Sequence, residues 1–257
     1  MNLLRKTYNF LYDVLLFNYF HYVTRNKLKK VQHKLKGKVL DIGCGKMPYK
    51  KCFKNISEYH GTNSGSYYKN SVLPKETEYI VEDGSNLPFP DQSFEVVLNF
   101  QVLPVFNDMN KFYNEVYRVL KPNGYFLLTS DFLYPIWNAP NNYWRTTQFG
   151  LEELAKNSLF KTEIIYNYGG FWAMMARVFP RYIRGLFFKF IQSYRSEKRY
   201  FIKIIKLLRI LGWLPFAVIM PIILNISIFI LHFLDKIMKD ADFTTNYMVL
   251  MQKIEVK

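Results

Sequence analysis

Residues 38–50 read Lys38-Val39-Leu40-Asp41-Ile42-Gly43-Cys44-Gly45-Lys46-Met47-Pro48-Tyr49-Lys50 (KVLDIGCGKMPYK). A short apolar run ends in an acid, two glycines bracket a cysteine, and a proline follows. A glycine turn after a strand leaves backbone N–H groups free and lets a ligand approach closely. A dinucleotide fingerprint would need a small residue where this chain has Pro48. Asp41, just before the first glycine, suits a ligand bearing an ammonium group better than one bearing a pyrophosphate.

Outward from this turn, β-type and helical patterns alternate. Lys38–Ile42, Glu58–Thr62, Glu78–Val81, Phe94–Asn99, Tyr125–Thr129 and Lys161–Tyr166 read as strands. Lys46–Phe53 opens a helix in this reading, and Asn107–Leu120 and Gln148–Asn157 are two more. Lys121-Pro122-Asn123-Gly124 reads as a turn. The rhythm predicts an α/β fold with a parallel, doubly wound sheet. Residues 3–35, apolar and basic without Gly or Pro, predict one or two preceding helices. Asn246–Ile254 predicts a last strand.

Three stretches in order resemble the class I S-adenosylmethionine-dependent methyltransferases, of the broad type 11 kind. They are Val39–Gly45, Asp83-Gly84-Ser85-Asn86-Leu87-Pro88-Phe89-Pro90-Asp91-Gln92-Ser93-Phe94-Glu95, and Arg118-Val119-Leu120-Lys121-Pro122-Asn123-Gly124. Asn142-Tyr143-Trp144-Arg145-Thr146-Thr147 is similar to a subgroup often met beside glycan-assembly enzymes. The resemblance covers residues 37–170 and the last strand. It implies a Rossmann-like, seven-stranded sheet and S-adenosyl-L-methionine as cofactor. It also implies that Gly43, Cys44 and Gly45 meet the methionine part, with Asp41 orienting the amino group. Asp83 would accept from the adenine amine, Gly84 would meet the ring edge, and Asn99, Phe100 and Gln101 would line the floor near the sulfonium. The family ends its second strand in an acid that accepts from the ribose hydroxyls; here that place holds Asn63. Many relatives carry Leu-Glu-His after the fourth strand, where this chain has Leu103-Pro104-Val105.

The net charge of +15 is unevenly spread. Residues 1–38 carry nine Lys/Arg against Asp13, residues 181–209 carry nine against Glu197, and the remainder sums to −1. Within the second block Lys203, Lys206 and Arg209 recur at helical spacing among Phe201, Ile202, Ile204, Ile205, Leu207 and Leu208. A basic helix with a greasy reverse side fits an anionic membrane surface better than a nucleic acid. Leu211–Leu231 has no charge and is long enough to span a bilayer. A single crossing would strand the last β-segment on the wrong side, so an in-plane or re-entrant segment, or a helical cap, is expected. The organisation is therefore a basic, aromatic segment 1–36, a core 37–170, a basic and apolar helical insertion 171–240, and the last strand within 241–257. Two cysteines, Cys44 and Cys52, exclude a disulfide framework, and no His/Cys/Asp/Glu spacing points to a metal. The N-terminus lacks the form of a secretory signal and the two cysteines suit a reducing cytoplasm, so a cytoplasmic chain held peripherally on the membrane face by its basic, apolar segments is expected.

Methyl transfer from a sulfonium proceeds largely by alignment of the nucleophile. Asp131, after the fifth strand, is the candidate base. Tyr143 and Arg145 are candidates for clamping an anionic acceptor. The leading expectation is a methyltransferase acting on a hydroxyl or carboxylate of a small-molecule or lipid-linked glycan acceptor. A non-catalytic scaffold of the same fold and an RNA methyltransferase are the alternatives.

Overall fold

The computed structural model describes residues 20–69, 72–193, 223, 226–238 and 243–255. It divides into two compact units: His21–Tyr168 with Thr244–Lys257, and Gly169–Phe243 with Met1–Phe20. Residues 21–36 thus belong with the sheet and not to a separate N-terminal piece.

In the first unit a helix, α1 (20–31), precedes β1 (Gly37–Ile42), β2 (Ile56–Asn63), β3 (Tyr79–Ile80), β4 (Phe94–Phe100), α2 (Met109–Val119), β5 (Leu120–Asp131), α3 (Gln148–Asn157), β6 (Phe160–Tyr168) and β7 (Asn246–Lys253). The seven strands lie in the order β3-β2-β1-β4-β5-β7-β6. The strand order reverses between β1 and β4, whose carboxyl ends therefore flank the crevice where such sheets hold ligands.

α2 forms because Met109, Phe112, Tyr113, Val116 and Val119 fall on one face, and all five are buried. Asp108 caps its start by accepting from Lys111 N at 2.9 Å. Thr147 caps α3 by accepting from Gly150 N at 3.2 Å. β4 is buried along most of its length, as a central strand covered on both faces must be. Phe112, Tyr113, Phe126 and Phe160 interlock edge to face in the same core.

Three expectations need correction. The sheet is mixed, because β7 runs antiparallel to both β5 and β6. The chain leaves the sheet at the carboxyl end of β6 and comes back at that same edge, where the Thr244 and Thr245 hydroxyls both donate to Tyr168 O. A strand entering there must run backwards. No α-helix follows the glycine turn; only a 3₁₀ turn at Lys50–Cys52 forms. Pro48 and the few residues left before β2 leave no room for more. Lys121–Gly124 is not a free turn but a bulge within β5. The ladder steps from Phe94↔Leu120 to Val96↔Tyr125, so four residues loop out opposite one.

In the second unit α4 spans Phe171–Ser193, and residues 226–237 form a further helix, α5. The Lys203–Arg209 pattern, residues 1–19 and most of Leu211–Leu231 lie outside the described residues. No helix among the described residues is long and apolar enough to cross a membrane.

Candidate active site

The glycine turn sits where β1 ends. Gly43 has φ +71°, and a methyl there would lie 2.6 Å from Val102 Cγ2. Gly45 has φ +52°, with open space where a side chain would begin. Only glycine takes both conformations cheaply, and the second leaves a cradle a ligand can enter. Cys44 is buried, and that burial pushes its thiol up to about 12, so it serves as filler and not as a nucleophile.

Asp41 is 1% exposed. Its Oδ2 accepts from the Tyr59 hydroxyl at 2.6 Å, while Oδ1 has no donor among the described residues. Burial raises its pKa to about 7, against the opposing pull of the Tyr59 hydrogen bond. Asn99, fully buried at the end of β4, donates from Nδ2 to Ile42 O at 3.1 Å, and its Oδ1 also lacks a donor among the described residues. Asp41 and Asn99 thus stand near the carboxyl ends of the paired strands β1 and β4, on opposite faces of the sheet by their register, each with one buried oxygen left to be satisfied.

Asn63 does not present itself to a ribose as expected. Its Oδ1 accepts from Gly45 N at 2.9 Å, and its Nδ2 donates to Thr77 Oγ1 at 2.7 Å and to Cys44 Sγ at 3.3 Å. It is 3% exposed and staples the glycine turn to the β2–β3 connection. A neutral amide does this because it both accepts and donates, which a carboxylate cannot.

Asp83 holds a tight turn by accepting from Ser85 N at 2.8 Å. Its other oxygen is exposed, 4.0 Å from Lys111 Nζ. Gly84 lies beneath Phe106, whose ring stacks on Phe112 at 4.0 Å. Arg118 locks this whole stretch, bonding Glu115, Asp91 and the carbonyls of Leu87 and Phe89. Phe100 packs against Tyr49 at 4.5 Å between ring centres.

Beyond β4 the chain turns at Gln101, whose φ is +62°. With its amide nitrogen toward Asp131, Gln101 donates to Oδ1 at 2.7 Å and accepts from Thr129 Oγ1 at 3.0 Å. Asn246 Nδ2 donates to the same Asp131 oxygen at 2.7 Å. Asp131 is therefore a buried carboxylate held by two carboxamides at the carboxyl edge of the sheet. Thr129 and Asn246 escape a reading of the sequence, since Asn246 reaches Asp131 only through the antiparallel register of β5 with β7.

The segment after β5 lies along the same edge. Trp144 Nε1 donates to Phe106 O at 2.7 Å and Tyr143 N to Pro104 O at 2.8 Å. Arg145 bonds Trp144 O at 2.8 Å, Asn142 Oδ1 at 2.7 Å and the carbonyls of Tyr134 and Pro135. Its guanidinium thus holds the segment's own backbone, in place of the acceptor clamp expected of it. Tyr143 is half exposed and its hydroxyl donates to Asn141 Oδ1. Among the described residues no group of His, Cys, Asp and Glu is arranged to hold a metal.

A seven-stranded sheet with an antiparallel last strand and a glycine turn at the crevice defines the class I methyltransferase fold. Residues 40–128 match the family model described as a methyltransferase domain. It is 33% identical over 99 residues to a sterol 24-C-methyltransferase of Gibberella zeae, covering 35% of this chain and 26% of that one. It is also 33% identical over 99 residues to a fatty-acid O-methyltransferase of Mycolicibacterium smegmatis, covering 36% of each. The chain thus spans about a quarter to a third of the curated relatives it matches. In structure it resembles the cyclase SpnF, with a TM-score of 0.51 at 15% identity over 90% of this chain and 81% of that one. It also resembles the YcgJ protein of Bacillus subtilis, with a TM-score of 0.50 at 14% identity over 91% and 100%.

Proposed function

We propose that the protein is an S-adenosylmethionine-dependent methyltransferase whose acceptor is an oxygen, hydroxyl or carboxylate, on a lipophilic or amphipathic molecule. The observation that carries this reading is the open cradle at Gly45, at the carboxyl end of β1 where the strand order reverses. S-adenosylmethionine, when bound, supplies an activated methyl group on sulfur. Asp41 would hold its ammonium, Asp83 and the Gly84 backbone its adenine, and Gly43 lets Val102 close over the turn. Asp131, kept in place by Gln101 and Asn246, is placed to take the proton of an acceptor hydroxyl or to align it. The aromatic segment around Tyr143 and Trp144 would cover the acceptor and exclude water.

Relatives named for sterols and fatty acids favour a lipophilic acceptor. A glycan-linked lipid remains part of this proposal on the resemblance of Asn142–Thr147, and a peripheral seat on the cytoplasmic membrane face on the two basic, apolar segments of the sequence. A second reading, a binding protein of this fold without transfer, draws on Asn63, whose oxygen is engaged inside the turn. Fold alone does not choose between them.

Calorimetry of the folded protein with S-adenosylmethionine is the first test, followed by transfer of labelled methyl to fatty acids and to lipid extracts. Heat with micromolar affinity and label in the lipid phase is expected. Absence of binding at millimolar ligand overturns the proposal, and binding without transfer favours the second reading.

A further inference from the structure

Gln101 stands between two groups that can each donate or accept a hydrogen bond. One end of its carboxamide lies 2.7 Å from Asp131 Oδ1, the other 3.0 Å from Thr129 Oγ1. Its backbone N–H is fixed to Thr129, 3.0 Å from the carbonyl and 3.1 Å from the hydroxyl. Asn246 holds the same carboxyl group from β7, with Nδ2 2.7 Å from Oδ1. The side chains that hydrogen-bond Asp131 from β4 and β7 are thus neutral carboxamides, and its neighbours on β5, Thr129 and Ser130, are neutral hydroxyls. Thr129 and Asn246 are fully buried, and Asp131 is 3% exposed.

A carboxamide carries a donor at one end and an acceptor at the other, so its orientation follows the protonation of its neighbours. With its nitrogen toward Asp131, Gln101 donates to an ionised carboxylate and accepts from the Thr129 hydroxyl. Turned by half a rotation, it accepts from the O–H of a protonated Asp131 and donates to Thr129 Oγ1 at 3.0 Å. Both states are satisfied by the same atom positions. A lysine here, a donor only, would serve the ionised state alone. A buried polar cluster is costly unless its members are paired, and this one stays paired with or without a proton on Asp131. Such a carboxyl group, ending a strand at the ligand-bearing edge of the sheet, is suited to taking a proton up and holding it.

We propose that Gln101 turns as Asp131 takes a proton from the acceptor, and that the acceptor is therefore a hydroxyl and not a carboxylate. The inference rests on the transfer reading above and narrows it. The acceptor oxygen forms its bond to the methyl carbon as the carbon–sulfur bond breaks. The electron pair of that bond stays on sulfur, and the hydroxyl proton passes to Asp131. A carboxylate is already ionised at neutral pH and has no proton to give, so a site that stores one would stand idle. Asp131 is the base; Gln101 and Asn246 are positioning residues.

The first test needs neither cofactor nor acceptor. In protein carrying carbon-13 at aspartate Cγ and nitrogen-15 in glutamine, the Asp131 resonance should titrate by NMR, and the Gln101 side-chain amide should shift in step. A Gln101 amide indifferent to that titration, or an Asp131 that does not titrate while the protein is folded, overturns the inference. The second test labels lipid extracts with methyl from S-adenosylmethionine. Label that resists mild alkali and leaves as methyl iodide in hydriodic acid is a methyl ether, the expected product. Label freed as methanol by alkali is an ester and overturns this inference alone, as does label bound to carbon or nitrogen. No label from protein that binds S-adenosylmethionine overturns the transfer reading as well. Gln101→Met should slow transfer at saturating acceptor by about tenfold or more, with the Kd for S-adenosylmethionine unchanged. An unchanged rate in that variant also counts against the assignment.

Discussion

Asp41 carries the most information of any single residue. Buried with one hydroxyl donor, it keeps its proton to a pH of about 7, whereas in the unfolded chain it loses it near 3.8. Between those values the folded state holds more protons than the unfolded one, so this residue makes stability fall as pH rises, with no further loss above about 7. The displacement corresponds to at most about 4 kcal/mol. Asp41→Asn should abolish that decline, so the variant melts higher than wild type at pH 8 and close to it at pH 4 in thermal scans. The same change removes the charge facing the ligand's ammonium and should weaken S-adenosylmethionine by about 10–100-fold. A variant that binds normally would show that Asp41 is only a packed acid. Asn63 is the counter-case. It occupies the position of the family's acid, yet its partners Gly45 and Thr77 make it a brace for the turn. Asn63→Ala should cost about 1–3 kcal/mol in chemical denaturation, because Gly45 N–H and Thr77 lose their partner.

Among the elements, the strands and the helices Asn107–Leu120 and Gln148–Asn157 were plain in the sequence. Gln148–Asn157 shows why, since Thr147 caps it and Leu151 and Ala155 face inward, all within one short window. The turn after β1 was plain too, but the helix expected from Lys46 to Phe53 was not formed. Its apolar residues are held by distant partners instead: Tyr49 by His21 at 2.6 Å and Phe53 by the ring of Tyr59. The segment between β5 and α3 was legible as a motif but not as a structure. Arg145 looks like an anion clamp until its acceptors are seen to be carbonyls of its own segment. Arg145→Ala should therefore raise the acceptor KM while leaving cofactor affinity unchanged, and Arg145→Lys should not restore it, because an ammonium cannot span the fork of acceptors. Substantial rescue by lysine would return Arg145 to the role of a point charge for an anionic acceptor.

For the whole molecule, ligand binding to the folded sheet links directly to stability. At S-adenosylhomocysteine about 100 times its Kd, the gain is about 2.7 kcal/mol. In a chain of this size that should lift the melting temperature by roughly 5–10 °C. A scan showing no shift would contradict the cofactor site. At this scale the sequence and the structure divide the work by the range of the interactions involved. The sequence by itself determined the α/β alternation, the glycine turn and the concentration of positive charge in two segments, because each depends on residues close together in the chain. Only the tertiary structure decided that β7 runs backwards between β5 and β6, that Asn246 reaches Asp131, that Asn63 braces Gly45, and that α5 turns its apolar side outward. Each of those rests on a partner dozens of residues away, or on which face of an element is covered. Local pattern does not encode either one. A helix with an apolar stripe reads the same whether that stripe meets a core or a membrane.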